Sequence, residues 1–131
     1  MSAEQELAVR NLVGRYAHAV TSRDEAAWAA TWTQDAEWHV IGMHAQGREA
    51  VVALWNKLIG TLPFVVQIPT GGVIELDGDR GTGRWTMREI GKDREGKGLF
   101  TLGIYRGIPK LSNARTGAGS RWTSWAISPF R

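Results

Sequence analysis

Trp32-Thr33-Gln34-Asp35-Ala36-Glu37-Trp38-His39-Val40 is the stretch whose reading decides the fold of this 131-residue chain. Its apolar members Ala36, Trp38 and Val40 alternate with Glu37 and His39, the period of a strand with one buried face. Upstream the period changes. Leu7, Leu12, Val13, Tyr16, Ala19 and Val20 recur at helical spacing, and a second helical run extends from Asp24 to Thr31. Downstream, Gly47-Arg48-Glu49-Ala50 opens a third helix bearing Val51, Leu54, Trp55, Leu58 and Ile59. Gly60-Thr61-Leu62-Pro63 closes it, because glycine and proline stop helices.

The remainder reads as sheet. Phe64 to Pro69 and Gly72 to Leu76 are expected as two short strands, and Asp77-Gly78-Asp79-Arg80-Gly81 as the turn of a hairpin continuing through Thr82 to Met87. A further strand is expected from Gly98 to Tyr105 and a last one from Arg121 to Ile127, whereas Gly42 to Gly47 reads as a loop. Pro109 cannot donate a ladder hydrogen bond, so the strand after Tyr105 should end early or run at an edge. Three helices followed by antiparallel strands describe an α+β domain whose sheet curls over a long helix. There is no internal repeat and no low-complexity tract.

Composition narrows the function classes. The length fits one domain, residues 1–131, able to bury a core unaided. Cysteine is absent, which excludes a disulfide framework and a thiolate nucleophile. No apolar run approaches a membrane span, and the acidic start Met1-Ser2-Ala3-Glu4-Gln5-Glu6 is not a signal sequence, so a cytoplasmic protein without membrane partners is expected. The net charge is +3, but the basic residues alternate with acidic ones around Asp79 to Glu95. That describes a solvated mixed-charge face, not a nucleic-acid footprint.

The helix Asn11 to Ala19 centred on Tyr16, the stretch Trp32 to Val40 and the helix start at Gly47 together resemble the SnoaL-like branch of the nuclear-transport-factor-2-like superfamily. The resemblance covers residues 5 to 105. Beyond them, Tyr105 to Lys110 and Arg115 to Ser124 keep the spacing of the family's last hairpin while the residue identities drift. It implies a cystatin-like cone, three N-terminal helices packed against a curved antiparallel sheet, with one ligand pocket. Polyketide cyclases, scytalone dehydratase, ketosteroid isomerase and lindane dehydrochlorinase share that scaffold, so it does not name a reaction.

Carried over position by position, the resemblance places few catalytic groups. Tyr16 matches the helix tyrosine that polarises a carbonyl in ketosteroid isomerase; it is either such a donor or a core tyrosine. The Asp and His dyad of the dehydratase and dehydrochlorinase falls on Thr21 and Gln67, neither of which is a base near neutral pH, though both can hydrogen-bond a ligand or water. The isomerase's aspartate base falls on Val40. Alternation puts Trp38 and Val40 on the pocket side and His39 on the other face, where His39 is either an outer-face residue or, beside a bulge, the remaining candidate base. Glu89 shares its strand face with Trp85 and Met87, and is the one carboxylate that alternation allows on the cavity side, either solvated at the strand end or acting as acid or base.

The other polar candidates read as structural. Asp35 is expected to hold the helix-to-strand turn, His18 to face solvent, and His44 to sit in a loop at the mouth. The three histidines have no recognisable metal-ligand spacing, so no metal and no cofactor are expected. Among seven tryptophans, Trp28 and Trp32 read as core packing on the second helix, and Trp38 and Trp85 as pocket wall. Trp122 and Trp125 have opposite parity, so one should face outward and mark a homodimer interface. The expected ligand is a small hydrophobic or aromatic, polyketide- or steroid-like molecule. The chain is then either a cofactor-independent lyase, cyclase or isomerase, or a non-catalytic binding module.

Overall fold

The computed structural model describes residues 1–113 and 119–129; Arg115 to Ala118 of the divergent segment lie outside them. Helix α1 (Ala3–Ser22) begins with a reciprocal cap, in which Ser2 Oγ accepts the Gln5 N–H and Gln5 Oε1 accepts the Ser2 N–H. Its periodic apolar face buries Val9, Leu12, Val13, Tyr16, Ala19 and Val20 against the sheet. Arg23 ends α1 in the left-handed region, and its guanidinium donates to the carbonyls of Leu62 and Ile59, tying this end to the exit of the third helix. Asp24 caps α2, which is a single short turn, Glu25–Ala29. Trp32 therefore opens a strand instead of closing the second helix.

The strands are β1 (Trp32–Val40), β2 (Met43–Gln46), β3 (Phe64–Asp77), β4 (Arg80–Lys92), β5 (Gly98–Lys110) and β6 (Arg121–Pro129), with α3 (Arg48–Ile59) inserted between β2 and β3. They form one sheet in the order β2-β1-β6-β5-β4-β3. Two expectations about the architecture change. The helices are one long, one minimal and one that follows the first hairpin, so they are not three N-terminal helices. The sheet is mixed, because β1 and β6 run parallel while every other pair is antiparallel.

Gly42 to Gly47 is not a loop. Ile41 and Gly42, both at positive φ (49° and 73°), turn the chain in two residues, and Met43–Gln46 pairs back on β1. The usual Asn-Gly or Asp-Gly signature is absent, which is why the turn was illegible; a β-branched residue at positive φ is strained. The two short strands around Pro69 are one strand whose register with β4 shifts between Pro69 and Gly72. Pro109 is likewise absorbed inside β5, at a register shift against β6. That same shift pairs Ile108 with Ser124 and Pro109 with Trp122, skipping Thr123. The bulge turns Trp122 and Trp125 to one face, and both are fully buried, so neither supplies an outward tryptophan.

Candidate functional site

One end of the interior is open. A cavity of about 500 Å³ lies between α1, α3 and the sheet, walled by Val20, Trp38, Val40, Trp55, Ile59 and Val65. Each comes from an apolar periodicity already described: i, i+4 on the helices and alternate residues on the strands. Polar groups enter along one row. Gln67 on β3, Glu89 on β4 and Thr101 on β5 are directly opposed in register, and all three line the cavity. Tyr16 and Tyr105 line its inner limit.

The row is internally bonded. Gln67 Nε2 donates to Glu89 Oε2 at 2.9 Å, and the Gln67 backbone N–H donates to Thr21 Oγ1 at 3.0 Å. Burial raises the Glu89 carboxyl above its ordinary value, a shift the Gln67 hydrogen bond only partly offsets. Burial also raises Tyr105 and Tyr16, with the neighbouring Glu89 charge adding to both. Both phenols therefore remain protonated donors. A carboxyl able to take or give a proton thus sits with two fixed hydroxyl donors in a mostly apolar space, the combination that acid–base chemistry on a carbonyl compound requires.

The structure brings together Tyr16, Trp38, Val40, Gln67 and Glu89 as expected pocket residues. Thr21 stands behind Gln67 and positions its backbone instead of lining the space. Trp85 is absent from the lining; it fills the closed end, with ring centroids 5.5 Å from Trp122 and 5.7 Å from Trp125. His39 is exposed on the face of β1 opposite the cavity, stacked on His44, which is on the same outer face and not at the mouth. Asp35 lies within β1, not in a turn. Glu89 is half-buried, not solvated. Tyr105 and Thr101 were missed, because period-2 alternation puts Thr101, Gly103 and Tyr105 on one face without saying which strand they will meet.

The model of the SnoaL-like domain matches residues 1–125. The chain belongs to the SnoaL-like domain family. No curated protein sequence matches it. Among solved structures, this SnoaL-like chain is similar to a proposed aromatic-ring hydroxylase from Novosphingobium aromaticivorans, at 20% identity and a TM-score of 0.90, covering 100% of this chain and 92% of that one. It is similar to a hexachlorocyclohexane dehydrochlorinase from Novosphingobium barchaimii, at 19% identity and TM-score 0.81, over 95% and 89% of the two chains. A proposed scytalone dehydratase from Novosphingobium aromaticivorans aligns at 12% identity and TM-score 0.85, over 96% and 84%. At these identities the likeness concerns the fold.

Proposed function

We propose that this SnoaL-like chain binds a small aromatic or fused-ring carbonyl compound, polyketide- or steroid-like in shape, and moves protons on it without a cofactor, as a lyase, cyclase or isomerase. The observation that carries this reading is the Glu89 carboxyl, half-buried and held by Gln67 at 2.9 Å on the wall of a largely apolar cavity. Ionised Glu89 takes a proton from the carbon beside the carbonyl, the electron pair moves onto the carbonyl oxygen, and the Tyr16 or Tyr105 hydroxyl donates to that oxygen. Return of that proton from Glu89 to another carbon, or its transfer from Glu89 to a departing leaving group, completes the reaction and restores the carboxylate. Two similar structures bear the names of eliminations, a dehydrochlorinase and a dehydratase, and such reactions involve loss of a proton.

A second reading is favoured by the Thr21–Gln67 contact. Where the relatives' dyad would put a carboxylate and an imidazole, this chain has a hydroxyl bonded to a backbone amide, which suits a binding module without a base. A fused-ring ketone such as 2-tetralone separates the two. Binding is followed by quenching of tryptophan fluorescence, and proton transfer by deuterium exchange at the ketone's α-carbon. Exchange that is lost in Glu89→Gln while binding persists supports the enzyme. Binding without exchange supports the module, and absence of binding overturns both.

We also propose a homodimer through the outer sheet face. Ile68 is opposed to Arg88 across β3 and β4, and Ile90 to Phe100 across β4 and β5, leaving Ile68, Ile90 and Phe100 exposed. Arg88 caps the Phe100 ring at 5.7 Å. Sedimentation at micromolar concentration is expected to give about twice the 14.5 kDa chain mass, and a monomer would remove the proposal.

A further inference from the structure

The outer face of the β1–β2 hairpin carries a second cluster that does not depend on the cavity. Glu37 and His39 are two residues apart on β1 and so share a face, and β2 sets His44 directly opposite His39. The two imidazoles lie 4.4 Å apart, centroid to centroid, with 17° between their planes. Glu37 Oε2 is 3.4 Å from His39 Nε2 and 3.7 Å from His44 Nε2, and ligand atoms of all three residues fall within 4.8 Å of one another. We propose that Glu37, His39 and His44 form a binding site for one divalent transition-metal ion of the zinc class.

The geometry is close to that of a coordination shell. Ligand atoms on a tetrahedral ion with bonds of about 2.0–2.1 Å stand about 3.4 Å apart, which is the separation between Glu37 and His39 and 0.3 Å short of that between Glu37 and His44. His44 must close slightly on Glu37 and the imidazoles on each other, by rotation of side chains that are about half exposed. Two imidazoles and one carboxylate are borderline ligands that suit zinc, cobalt, nickel or copper and not calcium or magnesium. On the adjacent strand β6, Ser124 and Ala126 are the register partners of Glu37 and His39. Both are small, so the fourth position is left for water. Sequence spacing hid this site because His44 reaches it through the unrecognised turn at Ile41 and Gly42.

An ion there would clip β2 to β1. Trp38, Val40 and Ile41, which alternate with or follow the ligand residues, line the cavity on the other side, so the clip braces the cavity wall. The test uses tag-free protein stripped with chelator and titrated calorimetrically with zinc chloride, alongside thermal unfolding. One zinc per chain and a raised melting temperature are expected. His39→Ala and His44→Ala should each weaken uptake by about tenfold or more, Glu37→Gln should weaken it as well, and His18→Ala should leave it unchanged. Circular dichroism of metal-free variants checks that the fold survives, with His44→Asn as the milder replacement should His44→Ala fail. No uptake by the wild type, or uptake that persists in both histidine variants, overturns the site and leaves the cluster a surface hydrogen-bonded group.

Discussion

The two ends of the interior use the same residue types to opposite effect. At the closed end, Trp85, Trp122 and Trp125 pack ring against ring and Tyr16 seals them, its centroid 4.9 Å from Trp125. At the open end, Trp38 and Trp55 are just as buried from solvent, yet they border a cavity of about 500 Å³. Glycine makes the difference. A Cβ at Gly83 would collide with the Trp85 ring, and one at Gly107 would stand 2.5 Å from Trp125 and 2.6 Å from Trp122. Their absence lets the Trp85 and Trp125 rings, 23° apart in plane, come up against the strand backbone, with Trp122 set edge-on to Trp85. At the open end Gly103 borders the cavity with no ring described over it, and Gln67 bonds sideways to Glu89 along the sheet instead of reaching across. Aromatic content therefore does not locate a pocket; the small residues beneath the rings decide which end is solid.

The sharpest way to break this comparison is Trp125→Ala. The ring touches Tyr16, Trp85, Tyr105 and Trp122, and denaturant unfolding should show a loss of about 3–5 kcal/mol. Trp38→Ala should cost less, because its ring already borders open space; equal losses would mean the two ends are packed alike. Gly107→Val should destabilise by about 1–3 kcal/mol through overpacking of the closed end, with little effect on ligand binding. Gln67→Leu acts at the open end, where it leaves the half-buried Glu89 carboxylate without its hydrogen-bond partner; it should weaken binding of 2-tetralone and cost about 1–3 kcal/mol in denaturant unfolding at neutral pH.

Ile41 sits at the cavity mouth at φ 49°. Asparagine tolerates that conformation, so Ile41→Asn should stabilise the chain by about 1 kcal/mol. The smallest effect concerns Glu89. Its carboxyl titrates above the ordinary 4.5 in the folded chain, so between the unfolded and folded values the native state holds more protons and stability falls as pH rises. Melting temperatures measured from pH 4 upward should decline through that window and then level off, and Glu89→Gln should flatten the decline. An unchanged profile in Glu89→Gln would place the titrating group elsewhere.

Much of the frame was legible in the chain. The 3.6-residue period around Tyr16, the period-2 alternation of Ala36, Trp38 and Val40, and the Asp77 to Gly81 turn are local signals, and they located α1, α3, β1 and the β3–β4 hairpin. The helical period put Tyr16 on the inner face and alternation put Trp38 and Glu89 there, because side-chain direction in a regular element follows from position alone; Gln67 was placed by the family resemblance. Events that depend on which strands meet were not legible. The bulge skipping Thr123 turned both Trp122 and Trp125 inward, the Ile41–Gly42 turn made a strand of Met43–Gln46, and Pro69 and Pro109 were absorbed at register shifts without ending their strands. Register also paired Glu89 with Gln67, changing a strand-end carboxylate into a half-buried one, and set His44 against His39. Sequence by itself determined the elements and their faces, since these rest on local periodicity, and its motifs carried the resemblance that implied the family scaffold; the filled end, the open end and both polar clusters were decided only in the tertiary structure, because inter-strand register is a property of two segments and no single segment encodes it.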